Sequence, residues 1–166
     1  MECLLIGGAP EVGKSNTIYR IALRLRNMGF KVIAGNIPIP KTGTVLIPSS
    51  DFRAVLEGVN NQNKTIKIII NSPTDTVDII NTFKKFYDGN GGTYNILISS
   101  VRDDNFWPRS DFFRIMNINS SKDFILEIPL AKITRKKTNR PVALNWYELQ
   151  LDNLIKHTLS NRPYNI

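Results

Sequence analysis

The chain is poor in the side chains that most often perform covalent chemistry, because its 166 residues include one cysteine and one histidine. A lone cysteine cannot form an internal disulfide, and Cys3 falls in an apolar run, where we expect a small core residue and no catalytic thiol. His157 falls in a C-terminal helical pattern, and we expect it on the surface. Neither residue therefore indicates a catalytic group.

The sequence also lacks long apolar runs, and we expect no targeting segment. No stretch of eighteen apolar residues occurs, and the N-terminus enters an apolar strand pattern without a charged leader or cleavage site. We therefore expect a soluble, cytoplasmic protein with no membrane partner. A length of 166 residues is typical of one domain with a real core, so residues 1–166 are expected to form a single domain.

Aromatic residues are absent from the part of the chain that holds most of its excess charge. The net charge is +8, and residues 132–140 contain five cations and no acid: Lys132, Arg135, Lys136, Lys137 and Arg140. Such a basic segment can cover the phosphates of a nucleotide, bind a phosphorylated substrate, contact nucleic acid, or form a solvated loop, which is the default. Without aromatic residues to stack on bases, nucleic acid is a less favoured partner.

Glycine and lysine occur in a specific arrangement near the N-terminus. Residues 8–15 have the sequence GAPEVGKS, which matches G-x-x-x-x-G-K-[ST] directly after an apolar run. Gly8 and Gly13 let the backbone wrap tightly, so that successive N–H groups face an anion. Lys14 then places a charge on the outer phosphates, Ser15 offers a hydroxyl to Mg²⁺, and the next helix directs its positive end at the same ligand.

The flanking pattern supports this interpretation of the 8–15 loop. Apolar residues at helical spacing follow it, which places the loop between a buried strand and a helix: Ile18, Ile21, Ala22 and Leu25. The segment resembles the Walker A motif of P-loop NTPases, over the first third of the chain. The resemblance implies ATP or GTP with Mg²⁺ as the ligand, bound by Gly8, Ala9, Pro10, Glu11, Val12, Gly13, Lys14, Ser15 and Asn16. The alternative is a glycine-rich turn that binds nothing.

Strand-like apolar runs alternate with helical patterns along the whole chain, which is typical of a parallel sheet covered on both faces. The predicted strands are residues 2–7, 30–35, 65–71, 94–101 and 124–128. The predicted helices are residues 14–28, 51–59, 74–87, 108–116 and 145–160. We therefore predict an α/β fold, a three-layer sandwich with a mainly parallel five-stranded sheet and the 8–15 loop after its first strand.

Residues 37–50 form an irregular connection that contains prolines at positions 38, 40 and 48. The connection is too proline-rich for a helix and too long for a tight turn. It leaves the carboxyl end of a strand, where open α/β sheets bind ligands, so we expect it to face the nucleotide or the substrate. The alternative is a β-hairpin insertion with residues 44–47 as one strand.

Asp51 and Arg53 follow this connection. The arrangement is similar to small P-loop kinases, in which an Asp-x-Arg pair beyond the second strand serves the acceptor. The resemblance implies that Asp51 orients the acceptor or accepts its proton, and that Arg53 grips an acceptor anion. The structural alternative is that Ser50 or Asp51 caps the predicted 51–59 helix.

Arg102 and Arg109 follow the fourth predicted strand. In the same kinases this segment is a lid whose arginines stabilise charge on the transferring phosphoryl group, and the resemblance gives both residues that role. The alternative is an exposed charged loop. Trp107, in the same segment, either stacks on a base or caps the core.

The third predicted strand departs from the family pattern. A Walker B strand ends in an acid that binds Mg²⁺ through water, whereas Asn71 stands at that position here. An amide supplies no negative charge, so Asp75 is the predicted metal ligand beside Ser15, with Asp103 as the other candidate. The departure argues against rapid hydrolysis more than against nucleotide binding.

A second resemblance concerns residues 29–32 and 40–43, which look like dethiobiotin synthetase, where a lysine after the second strand assists ATP-dependent ring closure. The resemblance implies that Lys41 is an anion ligand. The similarity fades after residue 43, and the glycine-rich acidic motif of that family is absent.

Together these features predict a Mg²⁺-dependent ATP- or GTP-binding protein, preferably a phosphotransferase that acts on a small acceptor. The contrasting hypothesis is a nucleotide switch or slow NTPase with a protein or nucleic-acid partner. The missing acid at position 71 favours the switch. The Asp51–Arg53 pair and the arginines after the fourth strand favour the kinase.

Overall fold

The structure is a computed structural model, and it describes residues 1–42, 47–133 and 138–166. Within these ranges the chain forms six strands and four helices. In chain order they are β1 (Glu2–Gly7), α1 (Lys14–Asn27), β2 (Lys31–Gly35), β3 (Arg53–Val59), β4 (Thr65–Asn71), α2 (Val77–Gly89), β5 (Ile96–Val101), α3 (Pro108–Met116), β6 (Phe124–Pro129) and α4 (Arg140–Ser160). A membrane-spanning helix, which needs greater length and apolarity, does not occur among the described residues.

The strands form one mixed sheet in the order β2-β3-β4-β5-β1-β6. β3 runs antiparallel to both of its neighbours, and the other neighbouring pairs are parallel. The prediction of a mainly parallel sheet is therefore confirmed, whereas the predicted number of five strands is wrong. β1 lies between β5 and β6, so the loop that follows β1 has a strand end on each side.

Apolar side chains alternate across the sheet and form two core clusters, one on each face. Leu4 points into the cluster that α1 and α4 cover, and its neighbour Leu5 points into the cluster that α2 and α3 cover. Successive side chains of a strand face opposite sides, so β1 contributes to both clusters. The resulting three layers, two helices on each face of a sheet, agree with the predicted sandwich.

Cys3 and His157 occupy the environments that the sequence predicts. Cys3 is fully buried, and this burial raises the pKa of its thiol to about 12. The thiolate is the reactive form of cysteine, so a thiol held protonated in the core is chemically inert. His157 is exposed on α4.

The prediction of a helix over residues 51–59 is wrong, because this segment contains β3. Val55 and Leu56 are both buried but belong to the clusters on opposite faces of the sheet, which is the alternation of a strand. The side chain of Asn60 accepts a hydrogen bond of 2.9 Å from the backbone N–H of Lys64, which closes a hairpin between β3 and β4. Asparagine in such a turn is the signal that the helical interpretation overlooked.

Two helices begin at different residues than predicted. α2 starts at Val77 instead of residue 74, because the hydroxyl of Thr76 accepts a hydrogen bond from the backbone N–H of Ile79 and caps the helix there. α4 starts at Arg140 instead of residue 145, with a proline in its first turn, where the missing N–H costs nothing.

The 37–50 connection carries an antiparallel bridge between Pro40 and Pro48. On either side of it, the N–H of Lys41 donates to the carbonyl of Ile47 at 2.7 Å, and the N–H of Ser49 donates to the carbonyl of Ile39 at 3.2 Å. This pairing agrees with the hairpin alternative for the part of the connection that is described. Most of the strand predicted at 44–47 falls within residues 43–46, which lie outside the described residues.

The assignment of β3 predicts how substitutions in it change stability. Leu56 is completely buried, so Leu56→Ala should lower the free energy of unfolding by about 2–5 kcal/mol through lost burial and a cavity. Val59→Ala is the matched control, because Val59 is 58% exposed at the end of the same strand and should cost less than about 1 kcal/mol. Urea unfolding measures both, and equal effects would contradict the assigned register.

Candidate functional site

The candidate site lies where the carboxyl ends of β1, β4 and β5 meet. Parallel strands end at a common edge of the sheet, which is where open α/β folds bind ligands. A cavity of about 450 Å³ opens there, within the size range of small-molecule sites. It is lined by Pro10, Glu11, Gly13, Lys14, Ser15, Asn16, Ser72, Asp75, Ser100 and Arg102.

The backbone of the 8–15 loop takes conformations that favour glycine at two positions. Gly8 has φ +141°, and a Cβ there would lie 2.9 Å from the side chain of Val12. Gly13 has φ +97° at the start of α1, so its requirement is conformational. Glu11 also has a positive φ of 61°, an unusual value for glutamate. The loop therefore curves tightly, with the first turn of α1 beside the cavity.

The side chain of Lys14 lies across the 8–15 loop. Its ammonium donates hydrogen bonds of 2.6 Å to the carbonyl of Gly8 and 2.7 Å to the carbonyl of Ala9, and only 8% of the residue is exposed. Burial lowers the pKa of Lys14, and the nearby positive charge of Arg102 lowers it further. The lysine is thus held at the cavity by neutral partners, in an environment that disfavours its charge.

Arg102 brings a second cation to the same cavity. Its side chain is 11% exposed, pairs with Asp75 and stacks on the ring of Phe106, 5.3 Å from the ring centroid. The Nε and Nη1 atoms of Arg102 are buried, and neither has a hydrogen-bond partner among the described residues. Buried donors without acceptors are costly, at about 1–3 kcal/mol each. Lys14 and Arg102 together therefore place two positive charges at this cavity, and these can attract an anion.

Asp51 lies next to the hydroxyl of Ser15. One carboxylate oxygen of Asp51 accepts hydrogen bonds from Ser15 Oγ at 3.3 Å and from Ser72 Oγ at 3.1 Å. Asp51 does not cap a helix, because β3 follows it. The predicted metal ligand Asp75 lines the same cavity but is paired with Arg102. The structure therefore groups Ser15, Asp51 and Ser72 as neighbouring oxygen donors.

Asn71 has a structural reason for replacing an acid at the end of β4. It is fully buried, and its amide N–H₂ donates to the carbonyl of Pro73 at 2.8 Å and to the hydroxyl of Ser99 at 3.2 Å. Its amide oxygen accepts a hydrogen bond of 3.2 Å from Nε of Arg53. A carboxylate cannot donate, so aspartate would lose both donated bonds and bury a charge here.

Arg53 and Asp51 line a second cavity, of about 290 Å³, beside the first. Gly35, Asn36, Phe52, Pro73 and Phe86 complete its lining. Burial lowers the pKa of Arg53, while the charge of Asp51 opposes that shift. Asp51 also bonds to Ser15 and Ser72, both of which line the first cavity, so this carboxylate lines the second cavity and contacts the wall of the first.

Arg109 is engaged by the protein itself. Its Nη1 and Nη2 atoms donate to both carboxylate oxygens of Glu127, at 3.1 and 2.7 Å, and Nη1 also donates to the carbonyl of Arg102 at 3.0 Å. Its Nε atom pairs with Asp104 at 2.7 Å. The hydrogen bond to Glu127 raises the pKa of Arg109. Arg109 therefore binds the segment that carries Arg102, where the sequence predicted direct action on a phosphoryl group.

Sequence reasoning missed Glu127, Ser72 and Ser100. Glu127 is the one acid in the otherwise uncharged strand β6, which is the signal that could have identified it. Ser72 and Ser100 belong to pairs of small polar residues at the carboxyl ends of β4 and β5. Polar residues there face the ligand edge of the sheet, so these pairs were informative as well.

The remaining predicted residues lie at the periphery of the site. Trp107 is 57% exposed, so it does not cap the core. Asp103 and Lys41 are exposed. Within the basic segment, Lys132 and Arg140 are exposed, and Arg135, Lys136 and Lys137 lie outside the described residues.

Comparison of the chain with models of known protein families, with curated proteins and with solved structures gave no match. Among the described residues, no group of three or more His, Cys, Asp or Glu side chains could hold a metal ion.

The cation pair predicts binding of a simple polyanion. Pyrophosphate should raise the melting temperature, because a ligand that binds the folded state stabilises it by mass action. Lys14→Ala and Arg102→Gln should each reduce this shift, whereas Arg26→Gln, an exposed arginine in the last turn of α1, should retain it. Thermal unfolding with chloride at matched ionic strength separates specific binding from screening. A shift that survives in both site variants would contradict the assignment.

Proposed function

We propose that the 450 Å³ cavity binds a nucleoside triphosphate, ATP or GTP, together with Mg²⁺. The observation that carries this proposal is the pairing of Lys14 with Arg102, whose Nε and Nη1 are buried without acceptors beside a tightly curved glycine loop. Phosphate oxygens would compensate both charges, and they would supply those acceptors once the Arg102 side chain moves to uncover its two donors. The first turn of α1 adds backbone N–H groups and the positive end of a helix.

Lys14 and the backbone of the 8–15 loop would bind the phosphates through different contacts. The loop backbone can surround a phosphate, because its glycines allow close approach at both ends. Lys14 can exchange its two carbonyl partners for phosphate oxygens with little movement, since its ammonium already lies at the cavity wall. Arg102, which follows the neighbouring parallel strand β5, adds a second positive charge at the same edge of the sheet.

Ser15, Asp51 and Ser72 are suited to hold Mg²⁺, because hard divalent cations prefer oxygen ligands and often use few protein ligands beside a phosphate. Asp51 supplies the negative charge that Asn71 cannot. When bound, Mg²⁺ would neutralise charge on the transferring phosphoryl group. Asp75, the ligand predicted from the sequence, would instead orient Arg102 through their ion pair.

The preferred activity is phosphoryl transfer to a small acceptor in the 290 Å³ cavity. Asp51 lines this second cavity and bonds to Ser15 and Ser72 in the wall of the first, so an acceptor hydroxyl beside it would lie near the terminal phosphate. The acceptor oxygen would bond to phosphorus as the bond to the leaving nucleoside diphosphate breaks. Oδ2 of Asp51 would accept the proton of the hydroxyl, since Oδ1 is the atom beside Ser15 and Ser72, where Mg²⁺ would bind. Arg53, in the wall of the same cavity, is suited to bind an anionic group of the acceptor.

The alternative function is a nucleotide switch or slow NTPase with a macromolecular partner. Two observations favour it: Asn71 provides no charge at the end of β4, and Arg109 is occupied by Glu127 and Asp104. Both features would reduce stabilisation of a transferring phosphoryl group. The absence of transfer in the parent protein, across a broad panel of small acceptors, would favour this alternative.

Nucleotide binding is tested first through Lys14. Lys14→Ala should reduce affinity for Mg·ATP or Mg·GTP at least about tenfold, since it removes a charge-assisted contact to phosphate. Isothermal titration measures the affinity, and Lys64→Ala is the control, because Lys64 is exposed in the turn between β3 and β4. Unchanged binding in a folded Lys14→Ala protein would contradict the proposal.

Asp51 and Asp75 can be separated by the Mg²⁺ requirement. Asp51→Asn preserves shape and can still accept hydrogen bonds from Ser15 and Ser72, but it lacks the charge for a cation or a proton. We expect retained nucleotide affinity without Mg²⁺, a higher Mg²⁺ requirement, and phosphoryl transfer lowered by roughly 10²–10⁴-fold. Asp75→Asn should leave the Mg²⁺ requirement closer to that of the parent. A higher Mg²⁺ requirement in Asp75→Asn than in Asp51→Asn would instead identify Asp75 as the Mg²⁺ ligand.

A further inference from the structure

The ion pair between Arg109 and Glu127 joins the two sides of the candidate site. Arg109 lies in the first turn of α3, and Glu127 lies on β6. Their contact is bidentate, which fixes the plane of the guanidinium relative to the carboxylate. We name this pair the Arg109–Glu127 clamp.

One end of the clamp holds the main chain of Arg102. Nη1 of Arg109 donates a 3.0 Å hydrogen bond to the carbonyl of Arg102, just beyond the end of β5. The carbonyl belongs to the residue whose guanidinium lines the cavity and has two unpartnered buried donors. A contact to the main chain leaves that guanidinium available while restricting where the backbone can place it.

The other end of the clamp touches the strand that enters the 8–15 loop. A Cβ at Gly7 would lie 2.0 Å from a carboxylate oxygen of Glu127, so the carboxylate occupies the space that any other side chain would need. Glu127 thus rests on the residue immediately before Gly8. The clamp therefore spans from the entry of the loop to the segment that carries Arg102.

The pair can stabilise the fold, because its side chains are only 19% and 26% exposed and its contact is bidentate. Stability alone does not explain the additional hydrogen bond to the carbonyl of Arg102. This hydrogen bond restricts the position of the main chain, because no other described side chain bonds to the carbonyl of Arg102. Asp75 and Phe106 then fix the guanidinium end.

We infer that Arg109 and Glu127 are positioning residues, which set the main chain at Arg102 so that its guanidinium meets the terminal phosphate of a bound triphosphate. This inference rests on the proposed nucleotide site. It implies that the preference for a triphosphate over a diphosphate depends on a residue pair that need not touch the nucleotide. For this positioning, the planar shape of the Arg109 guanidinium matters more than its charge, since it donates to a carboxylate and to a carbonyl at the same time.

The test is the ratio of affinities for Mg·ATP and Mg·ADP, or for the guanine nucleotides if those bind, measured by isothermal titration. Arg109→Gln and Glu127→Gln should each lower this ratio by about 2- to 30-fold, the range typical of residues that act through a neighbour. Arg102→Gln should lower it as well, and combining it with Arg109→Gln should add little, because both act on one contact. Arg114→Gln is the matched control, since Arg114 forms an exposed ion pair on the same helix.

The ratio of the two affinities separates a loss of positioning from a loss of folding. A general loss of structure would weaken ATP and ADP binding in parallel and leave the ratio unchanged, so an unchanged ratio in Arg109→Gln and Glu127→Gln overturns the inference. Additive effects of Arg102→Gln and Arg109→Gln overturn it too. If the parent protein binds neither nucleotide, the proposed function fails and this inference fails with it. Glu127→Gln keeps the size of the side chain and an acceptor for Arg109, so it tests the clamp even if Arg109→Gln does not fold.

Discussion

Largely buried positive charge at the carboxyl edge of the sheet is the constraint around which the candidate site is built. Lys14 donates to main-chain carbonyls, which carry no formal charge, and Arg102 pairs with Asp75 while two of its donors lack acceptors. Burying cations with so little compensation is unfavourable. A phosphate ligand would provide both the charge and the acceptors that the protein withholds, which is why the arrangement is more consistent with a binding site than with a structural core.

Three carboxylates around these cations have separate partners. Asp75 pairs with Arg102, Asp51 accepts hydrogen bonds from Ser15 and Ser72, and Glu127 binds Arg109. Because each acid has its own contact, their roles in the proposed function are distinct. Asp75 orients the guanidinium of Arg102, Asp51 provides oxygen ligands beside the loop, and Glu127 fixes the backbone through Arg109. Neutralising one of them is therefore not equivalent to neutralising another.

The antiparallel direction of β3 brings residues from the middle of the sequence to the site. In a sheet whose other strands are parallel, the first residue of an antiparallel strand lies at the edge where the parallel strands end. Arg53 pairs with Asn71, the last residue of β4, and Asp51 precedes it at the same edge. The helix expected over residues 51–59 would have given Asp51 a capping role. The strand instead places Asp51 in the wall of the second cavity, within hydrogen-bond distance of Ser15 and Ser72 in the wall of the first.

The sequence by itself determined the strand–loop–helix unit at the N-terminus, the α/β class and the mainly parallel sheet, since these follow from local patterns: apolar runs, helical spacing, and glycines at positions 8 and 13. The resemblance to small P-loop kinases also indicated Arg102 and Asp51 as candidate site residues. Tertiary structure alone decided their partners. The hydrogen bonds from Ser15 to Asp51, from Arg53 to Asn71, and from Arg109 to Glu127 join residues 36, 18 and 18 positions apart. Such contacts depend on strand order and direction, which local periodicity does not encode, because the same apolar pattern fits either direction of pairing.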